Sequence, residues 1–270
     1  MKFSGKTVVI TGASSGIGRQ AAIDFAKEGA DSVVVVSRSE PKLSQLAGEI
    51  MMMVAASERR CDAIPYACDV SDKAQVLKMG RDVLERLGRV DILVNNAGFA
   101  IYKSVKEQSI EEIEAVTDTN YLGMVYCTKV FLDSMLARRS GHIVNVASVA
   151  GSFGVAGLAP YCASKFAMLG FSESLYHEMH GTGVRVTTVS PIGVRTDFFS
   201  HESFAGRMPN YTGFALDPKT VSKAILAAAN SPRLEIVVPF YMRAAVWFKH
   251  TLPFVVQPIT GAVSRRGLKW

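Results

Sequence analysis

Tyr161 and Lys165 stand four residues apart in 160-PYCASKFAMLGF-171, directly after a proline. Proline suits the first turn of a helix, so the phenol and the ammonium fall on one face, one turn apart. A phenol ionises near pH 10 and at neutral pH is a poor base but a usable acid. An adjacent ammonium stabilises the phenolate and lowers that value, which brings proton transfer within reach. Ser148, just past the apolar run 142-HIVNVA-147, adds a hydroxyl upstream of this pair. As an exposed i,i+4 pair Tyr161 and Lys165 would contribute little, and Ser148 alone reads equally well as a helix or turn cap. Which reading holds depends on the elements that carry the three residues.

A second constellation lies at the start of the chain, where 6-KTVVIT-11 runs into 11-TGASSGIG-18. Glycines at a strand-to-helix turn let backbone approach a pyrophosphate, whose charge the helix N-terminus favours. The spacing is GxxxGxG, with Ser14, Ser15 and Ile17 between Gly12, Gly16 and Gly18. The end of the next apolar run, 33-VVVVSRSE-40, bears on which dinucleotide fits. A carboxylate there would bind the adenosine ribose of NAD and repel a 2′-phosphate. Ser37 and Arg38 instead offer a hydroxyl and a guanidinium suited to a phosphate, which favours NADPH over NADH. A solvated surface arginine is the plain alternative for Arg38.

The elements that would position these residues alternate. Strands are expected at 6–11, 32–37, 63–67, 91–95, 142–147, 184–189 and 235–238, and helices at 16–29, 41–58, 72–87, 111–138, 161–181 and 217–230. Continuous apolar strands between helical patterns imply βαβ units in a doubly wound parallel α/β sheet of about seven strands, with helices on both faces. This Rossmann-type domain is expected over residues 1–238. Ser148 then sits at the carboxyl end of a strand, where open α/β sheets bind ligands. Two stretches break the rhythm. Residues 192–216 form a candidate lid rich in aromatics (Phe198, Phe199, Phe204, Tyr211, Phe214), and residues 239–270 form an apolar, basic tail.

Composition narrows the classes. The net charge is +6, but Arg243, Lys249, Arg265, Arg266 and Lys269 all follow Glu235, after which no acidic residue occurs. Without them 25 basic residues face 24 acidic ones, so no basic groove crosses the body and nucleic acid is not an expected partner. Four cysteines without metal or disulfide spacing suit a reducing compartment, and MKFSGKTVVI lacks the apolar region of a secretion signal. A cytoplasmic protein is expected. The 177-HEMH-180 histidines lack metal-site spacing, so no metal is expected. Prolines and charges interrupt the tail too often for a spanning helix, yet aromatic and basic residues together suit the surface of an anionic membrane. A subunit contact or a flap over the cleft explains the tail equally well.

In its order of motifs the chain resembles the short-chain dehydrogenase/reductase family: 11-TGASSGIG-18, Asp69 in 68-CDV-70, 95-NNAG-98, Asn120 in 119-TNYLG-123, Ser148, and 161-YCASK-165. The resemblance covers roughly residues 5–196. It implies reversible hydride transfer between NADP(H) and a carbonyl or alcohol, with Tyr161 as general acid in reduction. Lys165 would bind the nicotinamide ribose and lower the Tyr161 pKa, Ser148 would hold the carbonyl oxygen, and Asn120 would hold a water linking Lys165 to solvent. Asp69 with Val70 would meet the adenine, Asn96, Ala97 and Gly98 would line the cofactor, and Val194 and Thr196 would reach the carboxamide. The family often has Pro-Gly where this chain has Pro191-Ile192. It also implies a homodimer or homotetramer formed through the helices at 111–138 and 161–181. The apolar stretch 151-GSFGVAGLA-159 and the aromatic lid point to a lipophilic ketone or aldehyde. A non-catalytic NADP(H)-binding or lipid-surface protein on the same scaffold is the rival reading.

Overall fold

A computed structural model describes residues 1–205 and 215–265. Seven parallel strands form one sheet in the order β3-β2-β1-β4-β5-β6-β7. They are β1 (Thr7–Thr11), β2 (Ser32–Ser37), β3 (Asp62–Ala67), β4 (Ile92–Asn95), β5 (Gly141–Val146), β6 (Val184–Pro191) and β7 (Glu235–Val238). The helices are α1 (Gly16–Lys27), α2 (Glu40–Ala55), α3 (Lys73–Leu87), α4 (Ile110–Thr117), α5 (Gly123–Ala137), α6 (Ala159–Glu178), α7 (Pro218–Asn230), α8 (Met242–Thr251) and α9 (Pro253–Ser264).

Alternation along each strand feeds two cores. Val8, Ile10, Val33 and Val35 face the layer of α1, α2 and α7, while Val9, Val34 and Val36 face α3, α5 and α6. Successive strand side chains point to opposite faces, so a strand covered on both sides must be apolar at every position. Phe25 and Phe131, both fully buried, anchor the two layers, and burying a side chain of this size contributes about 1.5–3 kcal/mol. The strand order reverses between β1 and β4, which opens a crevice at their carboxyl ends.

Local signals set the helix boundaries. Asp72 caps α3 by accepting from the Ala74 and Gln75 amides, and Gly88, at φ +72°, ends it. Ser109 and Glu112 form a reciprocal capping box at the start of α4. The single helix expected over 111–138 is interrupted by a π-helical turn, Asp118–Leu122, between α4 and α5. Such turns insert a residue into the helical ladder and concentrate at functional sites; this one carries Asn120. The base of the expected lid is pinned by Arg195 N to Leu216 O and Leu216 N to Gly193 O, both 2.8 Å. Tyr211, Phe214, Arg266 and Lys269 lie outside the described residues. The tail folds into α8 and α9, and no helix among the described residues is long and apolar enough to cross a membrane.

Candidate active site

Every expected catalytic side chain borders the crevice or supports its wall. Lys165, one turn into α6 and 4% exposed, points its Nζ at the Val146 carbonyl (3.0 Å) and the Met168 sulfur (3.4 Å). The ammonium lies 5.8 Å from the centroid of the Tyr161 ring. Burial pushes Lys165 down to about 7, so near neutral pH it is divided between charged and neutral forms. Tyr161 moves the opposite way from the expectation above. Burial of the phenol pushes it up to about 12, and a hydrogen bond shared with Ser148 offsets only part of that. The lowering expected from Lys165 does not dominate, because desolvation acts on both groups and favours the neutral form of each. The phenol is held as an acid.

Ser148 is buried at the end of β5, where its Oγ donates to Pro191 O (3.3 Å) and accepts from the Ala150 amide (3.0 Å). It is therefore a turn cap and a partner of Tyr161 at once. Asn120, fully buried, accepts from Phe99 N (2.9 Å) and donates to Phe99 O (3.0 Å) and to Ser164 Oγ (3.0 Å). Its side chain fastens the loop after β4 to α6. A Cβ on Gly98 would stand 3.0 Å from Asn120 Oδ1 and 3.7 Å from Lys165 Nζ, so backbone passes here because residue 98 is glycine.

The glycine-rich turn is built for close approach. Gly12 and Gly16 are left-handed, at φ +66° and +54°, and Cβ atoms there would meet Ala97 Cα and Thr196 Cγ2, each at 2.8 Å. A Cβ on Gly18 would collide with the Gly12 carbonyl. The half-buried turn also holds Ser14, Ile17 and Ser15, which precedes α1 and makes no side-chain cap bond. That pattern of strained glycines before an uncapped helix start fits a pyrophosphate. Ala13 N bonds to Val36 O (3.1 Å), which ties the turn to β2. Asn96 Nδ2 donates to Thr11 O (3.0 Å) and Gly12 O (3.2 Å).

A second polar group forms at the outer end of the crevice. Arg38 Nη1 lies 4.0 Å from Asp69 Oδ2, and Asp69 also accepts from the Ser71 amide and hydroxyl. Ser37 Oγ accepts from Ser39 N (3.2 Å). Arg38 is largely exposed. Val70 turns its side chain into the core against Gly123, which leaves only its backbone for a ligand. These residues fit a nicotinamide dinucleotide extending from the β2–β3 edge to Lys165.

The crevice encloses about 570 Å³. Ile17, Asn96, Gly98, Val194 and Thr196 line it together with Phe153, Val155, Leu158, Phe198 and Phe199 and with Ser148, Tyr161 and Lys165. Phe198 packs edge-on against Tyr161, 5.5 Å between centroids, and also against Phe199 and Phe204. Ile192 does not disturb the turn after Pro191: its amide bonds to Val238 O (2.9 Å). The 177-HEMH-180 histidines are exposed, and no metal-holding cluster occurs among the described residues.

Three contributions escaped the sequence reading. Thr11 Oγ1 accepts from Asn96 N (3.0 Å) and Ala97 N (3.1 Å), holding the cofactor-lining loop to β1. Its signal was present, as the first residue of the glycine motif. Ser164 couples Asn120 to α6, where it donates to Tyr161 O (2.7 Å). Tyr241 and Met242 of the tail line the crevice, as the flap reading of the tail allows, although no local pattern singles out these two residues.

The parallel sheet, glycine-rich turn and Tyr–Lys crevice define a nicotinamide-dinucleotide oxidoreductase fold. Comparison with known proteins specifies the family: a model of short chain dehydrogenases matches residues 6–204. The chain belongs to the short chain dehydrogenase family. It is 34% identical over 255 residues to mouse (Mus musculus) epidermal retinol dehydrogenase 2, a match covering 93% of this chain and 79% of that protein. A short chain dehydrogenase/reductase from Burkholderia phymatum, solved in complex with NAD, superposes with a TM-score of 0.83 at 27% identity, covering 94% of this chain and 96% of that one. A metagenomic short-chain oxidoreductase solved in complex with NADP gives 0.73 at 29% identity, covering 88% and 98%.

Proposed function

We propose that the protein is an NADPH-dependent reductase of apolar ketones or aldehydes, acting in reverse as an alcohol dehydrogenase. The observation that carries this reading is the Ser148–Tyr161–Lys165 group, with Ser148 and Lys165 buried and Tyr161 half-buried, inside a crevice walled by Phe153, Val155, Leu158, Phe198 and Phe199. The likeness to a retinol dehydrogenase supports an apolar alcohol or aldehyde. Ser37 and Arg38 favour the 2′-phosphate.

When bound, the reduced nicotinamide supplies a hydride to the carbonyl carbon. Ser148, turning its hydroxyl away from Pro191 O, donates to the carbonyl oxygen and orients it. Tyr161, kept neutral by burial, delivers its proton to that oxygen as negative charge develops there. The phenolate left behind is stabilised by Lys165, whose pKa near 7 lets it return a proton at physiological pH. Asn120 keeps the Phe99 loop and α6 in register, so that Lys165 stays aligned. Gly12, Gly16 and Gly18 admit the pyrophosphate, Asp69 and Val70 border the adenine, and Asn96, Ala97, Gly98, Val194 and Thr196 hold the nicotinamide end. The four free, buried cysteines suit a reducing cytoplasm. A homodimer or homotetramer would form through the α4–α5 and α6 faces, where Phe166 and Tyr176 are exposed.

The test is NADPH consumption over carbonyls ranging from small polar ketones to long-chain ketones, steroids and retinoid aldehydes, with NADH in parallel. Turnover of the apolar members that is lost in Tyr161→Phe, with NADPH binding retained, is expected. Turnover that survives in Tyr161→Phe overturns the mechanism. Tight NADPH binding without turnover of any carbonyl favours a cofactor-binding protein.

A further inference from the structure

After Val238 the chain leaves the sheet and forms α8 and α9, which contribute no buried residue. Large apolar side chains on them and just before them stand in solvent: Phe240, ahead of α8, is 81% exposed, Phe254 73%, Ile259 60% and Trp247 59%. Scattered exposed apolar residues are ordinary, but a set this dense on two adjacent helices marks an interaction surface. Along α9 the exposed residues Val255, Ile259 and Val263 recur every fourth position, forming one stripe.

The charge on this surface has one sign. Arg243, Lys249 and Arg265 lie among the apolar residues, and no acidic residue follows Glu235. A groove of about 710 Å³ separates the two helices from the 153–156 loop, and it is lined by Lys249, Arg265, Gln257, Thr260 and Ser264 with Phe254 at its side. Cations and an exposed apolar stripe therefore occupy the same two helices, the composition that suits an anionic lipid surface. A second copy fits less well, because a two-fold contact would set these cations against their own copies with no carboxylate on the face.

We propose that α8 and α9 dock on an anionic phospholipid surface, their exposed apolar side chains entering it and Arg243, Lys249 and Arg265 attracting it. The docked face adjoins the crevice: Tyr241 and Met242 line the crevice, and Phe153 borders both cavities. Docking thus turns the crevice mouth toward the lipid, from which an apolar carbonyl enters without crossing water. That purpose rests on the proposed reductase activity, whereas the docking itself does not.

The experiment is vesicle flotation of the full-length protein. Wild type is expected to float with vesicles containing phosphatidylglycerol, and roughly tenfold less with phosphatidylcholine alone or at high salt. Phe254→Ser/Ile259→Ser and Lys249→Glu/Arg265→Glu are each expected to cut recovery roughly tenfold, with unchanged circular dichroism and NADPH binding. All four sites are at or near the surface and outside the catalytic set, so folding is not at stake. Wild type that stays unbound, or double variants that float like wild type, overturn the proposal. So does a dimer that the apolar variant dissociates without any flotation, which gives the face to a second copy. Because flotation reads lipid binding and Tyr161-dependent NADPH consumption reads chemistry, failure of one leaves the other intact.

Discussion

Replacing Lys165 with methionine should stabilise the protein at low pH while abolishing its turnover. The ammonium is buried and pushed from its ordinary value of 10.5 to about 7. Between those values the unfolded chain binds a proton that the folded chain does not, so wild-type stability rises with pH across that window. Below about pH 7 both states carry the charge, and its burial costs about 5 kcal/mol relative to alkaline pH. Methionine fills the space of the lysine stem without this cost, but it leaves the Val146 carbonyl without its 3.0 Å donor, a loss of about 1–3 kcal/mol. Lys165→Met should therefore be the more stable protein by about 2–4 kcal/mol at pH 6. That advantage should shrink by about 3 kcal/mol between pH 6 and pH 9, where Tyr161 stays neutral in both proteins. Urea unfolding of both proteins at pH 6, 7.5 and 9 measures the difference directly. A stability difference that does not change with pH refutes the reasoning, because it would place the Lys165 charge in solvent in the folded protein.

Two further outcomes test the cofactor end. Arg38→Ala should raise KM for NADPH about tenfold at low salt, less at high salt, and leave KM for NADH nearly unchanged, since an exposed guanidinium acts on the extra phosphate alone. Equal changes with both cofactors would remove Arg38 from phosphate recognition. Gly16→Ala forces a Cβ into the left-handed region 2.8 Å from Thr196 Cγ2 and should cost about 1–3 kcal/mol. Thermal unfolding should show a midpoint lowered by about 2–6 °C, with weakened NADPH binding; an unchanged midpoint contradicts the close packing of residues 16 and 196.

The seven strands were legible because a parallel sheet covered on both faces demands unbroken apolar runs, and Val33–Val36 satisfies that demand locally. Ser148, Tyr161 and Lys165 were legible for a related reason, since their spacing places them at one strand end and on one helix turn. The π-helical turn at Asp118–Leu122 was not, because its cause is tertiary. Asn120 makes three hydrogen bonds, to Phe99 and Ser164, each 21 or more residues away in sequence. A helical pattern carries no trace of partners that far along the chain. The direction of the Tyr161 shift was hidden likewise, since it depends on how much water the folded crevice excludes rather than on the neighbour four residues on.

Proton supply ties these features together. A phenol held near 12 beside an amine held near 7 cannot rest as phenolate and ammonium in the folded crevice. The pair reaches that charged state only while negative charge is forming on a substrate oxygen, which the Ser148 hydroxyl is placed to share. In the proposed reduction burial would thus keep Tyr161 protonated until reaction begins and Lys165 ready to replace the proton once it has gone. A more exposed crevice would give a more ordinary lysine, fully protonated beside the phenol at neutral pH. The walls proposed to select an apolar substrate would therefore also set the chemistry: Phe198, its ring centroid 5.5 Å from that of Tyr161, would exclude water from the phenol as it shapes the pocket.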